Sequence, residues 1–439
     1  MKSFRVAILG CGTVGGGVAR ILLDLGKQIA QRSEANIEIA KIADIFPARS
    51  AQRHGIPREL FCGTADELTK EESNKFIQEI IADPTIDLVV ETIGGTSQFL
   101  LDIMLNVLKA KKHLVTANKA MLAHHGDEIF AAAEANGVSV GFEASVCGAI
   151  PIIKAVRECF TGDKINSVCG IMNGTSNYIL SKMKAEGLSF ADALALAQKH
   201  GYAEADPSLD INGGDAGHKL AILCRLAFGL AIKFEDLSVT GIENITKEDH
   251  DFASEMDATI KLICYAKNDG DKVYACVHPM IVRNENLLSD INGATNAVLL
   301  QNEYSTEHVL IGKGAGSLET GSAIVGDIVF ISKYAECISN KQNIANVKLA
   351  DVDDMEFPYM AIFGTNNTPG ITGAITTAIG AQNINIDTVG HNYHTNGATT
   401  FTVTTMPCKL SQLKAAIAQI KAERADILVG TPKILPVLY

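Results

Sequence analysis

Residues 4–25 read FRVAILGCGTVGGGVARILLDL. The apolar run Val6 to Leu9 predicts a buried strand, Gly10, Gly12 and Gly15 follow in a GxGxxG spacing, and apolar residues then recur with helical period. The stretch is strand, glycine turn, helix. Gly10 allows the tight turn, and Gly12 lets the main chain approach a pyrophosphate. Gly15 lets the helix pack on the strand, so that its first-turn amides, at Thr13 and Val14 among others, face the phosphates. A GxGxxG on its own is weak evidence. Its position directly after a strand, and a second strand IEIAKIAD (residues 37–44) that ends in Asp44, make it a dinucleotide site. Asp44 would accept hydrogen bonds from both ribose hydroxyls of NAD and repel the 2′-phosphate of NADP, but Arg49 follows closely enough to leave NAD and NADP both open.

Three further runs continue the pattern: IDLVVETIGG (86–95), KKHLVTANK (111–119) as a strand ending at Lys119, and VSVGFEASV (138–146) as a strand ending at Glu143. Strands separated by helical segments predict an α/β, Rossmann-type doubly wound parallel sheet over residues 1–150, with ligands gathered at the carboxyl ends of the strands. Thr92, Lys119 and Glu143 lie at such ends.

With 439 residues, 47% of them hydrophobic, the chain has ample material for two or three packed domains. A net charge of −12 argues against nucleic acid or an anionic membrane as partner. MKSFRVAILGCG reaches its glycine turn too early for a secretory leader, and no apolar run approaches a membrane span, which together predict a cytoplasmic protein. Ten cysteines without a CxxC spacing fit reduced, mostly structural thiols. His391 and His394, in HNYH, have no cysteine or acid cluster to complete a zinc set.

From 151 to 340 the chain mixes amphipathic segments with polar, glycine-containing stretches, as expected of an α+β substrate and dimerisation domain. Within it, DINGGDAGHKLAILCRL (210–226) places Asp215, Lys219, Ile222 and Leu226 along one line of a helix. An exposed i, i+4 ion pair contributes only about 0.3–0.5 kcal/mol. A pair sharing a stripe with Ile and Leu points instead to a buried pair or a site.

After an acidic connector, residues 350–439 read as strand YMAIFG, turn TNNTPG, helix ITGAITTAIG, strand INIDTVGHNYH, a turn at Asn396-Gly397, strand ATTFTVTTM, helix KLSQLKAAIAQIKA and strand ADILVGTPKILPV. The order βαββαβ is that of a ferredoxin-like module.

Over essentially its whole length the chain resembles the homoserine dehydrogenases, on the motifs GCGTVGGGV, TANK, EASVCGAIP, NGTSNYIL, GYAEADP, DxxGGDAxxKL and GKGAGS in that order. The resemblance implies NAD(P)-dependent interconversion of L-homoserine and L-aspartate 4-semialdehyde. It assigns Lys219 as proton donor and acceptor, and Lys119 as a second lysine contacting cofactor and substrate. It has Glu204 and Asp215 bind the substrate amino group or organise the lysine. Asp210 lies in the same acidic segment and is a further substrate-binding candidate, Gly201 approaches the nicotinamide end, and Gly316 of the GAG loop borders the cofactor. A structural sodium ion is implied at Glu143, Val146, Gly148 and Ile150, mainly through main-chain oxygens. The C-terminal module resembles an ACT regulatory domain, which implies feedback by an amino acid such as threonine and a homodimer or homotetramer. The chain departs from the family pattern at Lys313 and Glu319, where prolines are usual, and at Asn367, often an acid in ACT domains.

The chemistry itself asks for a base near the hydroxyl, and two neighbouring ammonium groups would depress each other's proton affinity. Two other readings stand beside this one. Cys147 could be the nucleophile of a semialdehyde dehydrogenase, or the chain could be a dinucleotide-binding sensor without catalysis.

Overall fold

The computed structural model describes residues 2–335, 347–393 and 398–439. His394 and the expected turn at Asn396-Gly397 lie outside the described residues. The chain forms two compact units, each discontinuous in sequence. The first comprises Met1–Gly174, Asp215–Leu237 and Ala294–Val347, and the second Thr175–Gly214, Ser238–Gly293 and Lys348–Tyr439. These units cut across the contiguous stretches 1–150, 151–340 and 350–439 read from the sequence, because residues distant along the chain pack together.

In the first unit, strands β1 (Lys2–Leu9), β2 (Ala35–Ala43), β3 (Leu88–Glu91), β4 (His113–Thr116) and β5 (Val140–Gly141) form a wholly parallel sheet in the order β2-β1-β3-β4-β5. The order reverses between β1 and β3, which opens a crevice at the carboxyl ends of those two strands. Helix α1 (Thr13–Ser33) lies on the sheet, and its Val18, Ala19 and Leu22 share a core with Val6 and Ile8 of β1 and Ile324, Val325 and Ile328 of helix Ser317–Tyr334. Each of these valine, leucine and isoleucine side chains contributes roughly 1.5–3 kcal/mol by burial. Two expected boundaries move. β4 ends at Thr116, so Lys119 is the first residue of the following helix, Lys119–Asn136. β5 ends at Gly141, and Glu143 opens a short 3-10 turn, because Glu143 N donates to Asp327 Oδ2 at 2.8 Å rather than to a strand. The unit also holds three antiparallel strands in the order Glu307–Lys313, Thr295–Asn302, Ile165–Ile171.

In the second unit, strands Ala258–Asn268 and Lys272–Arg283 form an antiparallel hairpin. The C-terminal residues realise the order βαββαβ, with strands Lys433–Leu438, Tyr359–Asn366, Ala398–Thr405 and Ile386–Tyr393 side by side and antiparallel throughout. Helices Ile371–Ala381 and Leu410–Glu423 pack on each other. The last strand begins only at Lys433, since Ala425–Ile427 is a 3-10 turn. It also pairs in parallel with Lys272–Arg283, Val437 opposite Ile281, so the module is hydrogen-bonded into its unit rather than appended to it. No helix among the described residues is long and apolar enough to cross a membrane.

Candidate active site

The glycine turn is built around close main-chain approaches. Gly10 has φ +84°, and a Cβ there would stand 2.8 Å from the Thr92 carbonyl oxygen. A Cβ on Gly15 would fall 2.0 Å from Gly10 O, whereas one on Gly12 would meet nothing within 4 Å. Both crowded positions close the turn, and the open one leaves main chain accessible. No side chain caps α1, so its first-turn amides remain available to an anion. Thr13 is exposed and Val14 half-buried. Thr92 serves the turn from β3, its Oγ1 donating to Gly10 O at 2.7 Å and Leu9 O at 3.2 Å. Asp44 grips the same loop: Oδ2 accepts from Cys11 N at 2.5 Å and Oδ1 from Phe46 N at 2.7 Å. Oδ1 also accepts from Ser50 Oγ at 3.3 Å, while Oδ2 keeps a second lone pair with which a ribose hydroxyl can still be accepted. Arg49 is exposed on the next helix, Pro47–His54.

The second constellation is made of charge. Lys219 and Asp215, one turn apart on helix Gly214–Phe228, are both only 7% exposed. Lys219 Nζ donates to Asp215 Oδ2 at 2.7 Å and to the Met172 carbonyl at 2.7 Å. Asp215 Oδ1 faces Lys119 Nζ at 3.1 Å, and Asn173 Nδ2 donates to Oδ2 at 2.8 Å. Burial alone would raise the Asp215 carboxyl, but the Lys219 and Lys119 ammoniums and the hydrogen bonds from Lys219 and Asn173 outweigh it and hold the group well below the usual range. The two lysines therefore share one carboxylate instead of facing each other bare. Lys119, its side chain 38% exposed, is aimed by a relay from β3. Buried Glu91 accepts from Thr116 Oγ1 at 2.7 Å, Thr116 Oγ1 accepts from Asn118 N at 3.0 Å, and Asn118 caps the helix by accepting from Met121 N at 3.0 Å.

Family models for homoserine dehydrogenase and for the NAD-binding domain of homoserine dehydrogenase match residues 151–329 and 10–143. The homoserine dehydrogenase of Neisseria gonorrhoeae is 35% identical over 435 residues, covering 96% of each chain, and that of Helicobacter pylori is 35% identical over 99% of each. The crystal structure of a homoserine dehydrogenase from Thiobacillus denitrificans superposes with a TM-score of 0.90 at 34% identity, covering 100% of this chain and 98% of that one. The chain belongs to the homoserine dehydrogenase family. Its activity is NAD(P)-dependent oxidoreduction at a CH–OH group, with homoserine and aspartate semialdehyde as substrates.

A cysteine-based semialdehyde dehydrogenase finds no support in the geometry of this homoserine dehydrogenase. Cys147 is fully buried, and burial pushes its thiol up, away from the reactive thiolate. The candidates Gly201, Glu204 and Asp210 belong to the second unit. There Gly201 has φ +74°, Glu204 is exposed, and Asp210 O accepts from Ser176 Oγ at 2.6 Å. Around the expected cation turn, Glu143 spends its carboxylate internally: Oε1 accepts from Ile153 N at 2.8 Å and Oε2 from Lys154 N at 2.9 Å. Cys147 and Gly148, at φ +54° and +43°, turn the chain, and Ala149 N donates to Lys313 O at 3.0 Å. No group of three or more His, Cys, Asp or Glu placed to hold a metal occurs among the described residues. Lys313 and Glu319 pair with each other at 2.9 Å, so their charges offset each other locally. Gly316, at φ +140°, ends this loop at the helix Ser317–Tyr334.

Sequence reasoning missed Asn173 and the Met172 carbonyl, although both stand in GIMNGTSNYIL. It also missed Glu91, whose position at the end of β3 was the available signal. His218, beside Lys219, is pushed down to about 4 by burial first and by His124 next, and packs edge-on to His124 and against Phe234.

Proposed function

We propose that Lys219 is the proton donor and acceptor of this homoserine dehydrogenase, with Asp215 holding it and Lys119 beside substrate and cofactor. The observation that carries this is a single buried carboxylate set between two ammonium groups, 2.7 Å from one and 3.1 Å from the other. The bound nicotinamide supplies the hydride acceptor or donor. In oxidation the free amine of Lys219 takes the hydroxyl proton as the carbinol becomes a carbonyl; in reduction the ammonium returns it to the aldehyde oxygen. Asp215, held ionised, steadies the ammonium and does not keep the proton. Glu204, Asp210 and Asp215 bind the substrate ammonium. Gly10, Gly12, Thr13, Val14 and Gly15 cradle the pyrophosphate, Asp44 takes the ribose, and Thr92, Gly201 and Gly316 line the rest of the cofactor site.

We infer a monovalent cation, sodium, at the turn Glu143, Val146, Gly148 and Ile150, held mainly by main-chain oxygens, since the Glu143 carboxylate accepts from the Ile153 and Lys154 amides. The C-terminal module acts as an ACT-type sensor of an amino acid such as threonine in a cytoplasmic homodimer or homotetramer, a reading supported by its strand order and its PG turn, where Gly370 has φ +91°.

Initial rates of Lys219→Met with homoserine and either NAD⁺ or NADP⁺, beside a dinucleotide-binding titration, test the centre. Lost turnover with intact binding is expected, and normal turnover would end the proposal. Feedback is tested by threonine titration of Asn367→Ala against the parent. Deleting the tail would strip strand Lys433–Leu438 from its partner and so cannot serve.

A further inference from the structure

Asn296 is fully buried, and neither its Nδ2 nor its Oδ1 has a hydrogen-bond partner among the described residues. Buried amides are nearly always paired, so one offered nothing better than a neighbouring thiol requires a physical reason. Its position narrows the choice. It is the second residue of strand Thr295–Asn302 and stands opposite Gly312 on the neighbouring strand. On the other side Ala297 pairs with Ile171, the residue before Met172, whose carbonyl holds the Lys219 ammonium. The amide lies under the glycine loop: a Cβ on Gly314 would stand 2.2 Å from Nδ2, and one on Gly174 3.4 Å from Oδ1. The Cys147 thiol is beside it, a weak acceptor that leaves the donor capacity unspent. The same loop runs to the dinucleotide turn, where Ser317 Oγ donates to Thr13 O at 2.6 Å. One short segment thus spans the cofactor turn and the lysine cluster, with an unspent amide beneath its middle.

We propose that Asn296 is a positioning residue: when dinucleotide is bound, its Nδ2 and Oδ1 hydrogen-bond the main chain of the Gly312–Gly316 loop and set that loop against the Lys219 site. A carboxamide suits the task because it matches a peptide carbonyl with its donor and a peptide N–H with its acceptor. Gly314 suits it because any side chain there would strike Nδ2. Substrate is not the partner, since both amide atoms are sealed from the surface.

The inference rests on the reading of the glycine turn as the dinucleotide site, and Gly15→Val tests that reading separately. Three quantities are to be measured on Asn296→Leu and Asn296→Asp: dinucleotide affinity by fluorescence titration, the KM for homoserine, and the thermal midpoint. The expected result is a dinucleotide affinity weaker by about ten-fold, one lost net hydrogen bond, with the homoserine KM within about two-fold. Asn296→Leu should melt no lower than the parent, because it removes an unpaired buried amide. An amide that merely supports the fold would do the reverse, lowering the midpoint and leaving affinity alone, and that result overturns the proposal. Should Asn296→Leu not fold, Asn296→Asp carries the same affinity readout. Normal dinucleotide binding by Gly15→Val would remove both the dinucleotide site at the glycine turn and the positioning role of Asn296, whereas normal binding by the Asn296 variants alone removes only the latter.

Discussion

The glycine turn and the lysine cluster lie in the same compact unit and are built on opposite principles. The turn works by the absence of side chains: Gly10 and Gly15 exclude a Cβ because main-chain oxygens stand 2.8 and 2.0 Å from where it would be. The cluster works by side chains that water would ordinarily claim, and it is affordable only because Lys119, Asn173 and Lys219 all serve Asp215. The lesson is one of distance along the chain. The turn closes within six residues and tolerates no addition at Gly10 or Gly15; the cluster draws on three segments, each supplying a partner to one carboxylate.

That contrast can be broken in either direction. Lys219→Met should lower kcat by about 10²–10⁴-fold, the usual worth of a general acid–base group, while a fluorescence titration finds dinucleotide affinity unchanged. If affinity falls with it, the two regions are one. Gly15→Val should weaken dinucleotide binding by two orders of magnitude or more, on the order of 3 kcal/mol, because a clash with Gly10 O cannot be relieved without moving β1. Full affinity by titration would show the turn to be plastic. Asn173→Ala removes one of the donors to Asp215 Oδ2, and kcat/KM should drop roughly ten-fold, since a hydrogen bond to a charged group is worth about 1.5–3 kcal/mol. An unchanged value would leave Asp215 held by the lysines alone.

The last effect leaves catalysis and falls on stability alone. His218 has a folded pKa of about 4, below its ordinary 6.5. The unfolded chain therefore binds the extra proton first, and stability is lost as pH falls from 6.5 through 4, by up to ~3 kcal/mol. His218→Phe should flatten that limb of the pH–melting curve, and an identical limb in the variant would place the acid sensitivity elsewhere.

The parallel sheet was readable because buried strands and their glycine turn are local signals, and Gly10, Gly12 and Gly15 declare themselves by spacing alone. Lys219 and Asp215 were readable as a pair for a similar reason, one helical turn being a short-range relation. Lys119 was readable only by its motif, and its strand was drawn three residues too long, because the Thr116–Asn118 cap that ends the strand is a contact with Glu91 twenty-five residues earlier. Asn173, the Met172 carbonyl and Asn296 gave no signal of period or charge. A neutral amide in a loop looks the same whether it caps, binds or waits.

Sequence alone therefore determined which segments are strand, turn and helix, and which charged pair shares an apolar stripe, because those properties depend on neighbours within a turn or two. Tertiary structure alone decided that one carboxylate lies between two lysines, that Cys147 is sealed, and that a glycine loop covers Asn296. Such facts are distances between residues far apart in the chain, and packing sets them only when the whole unit closes.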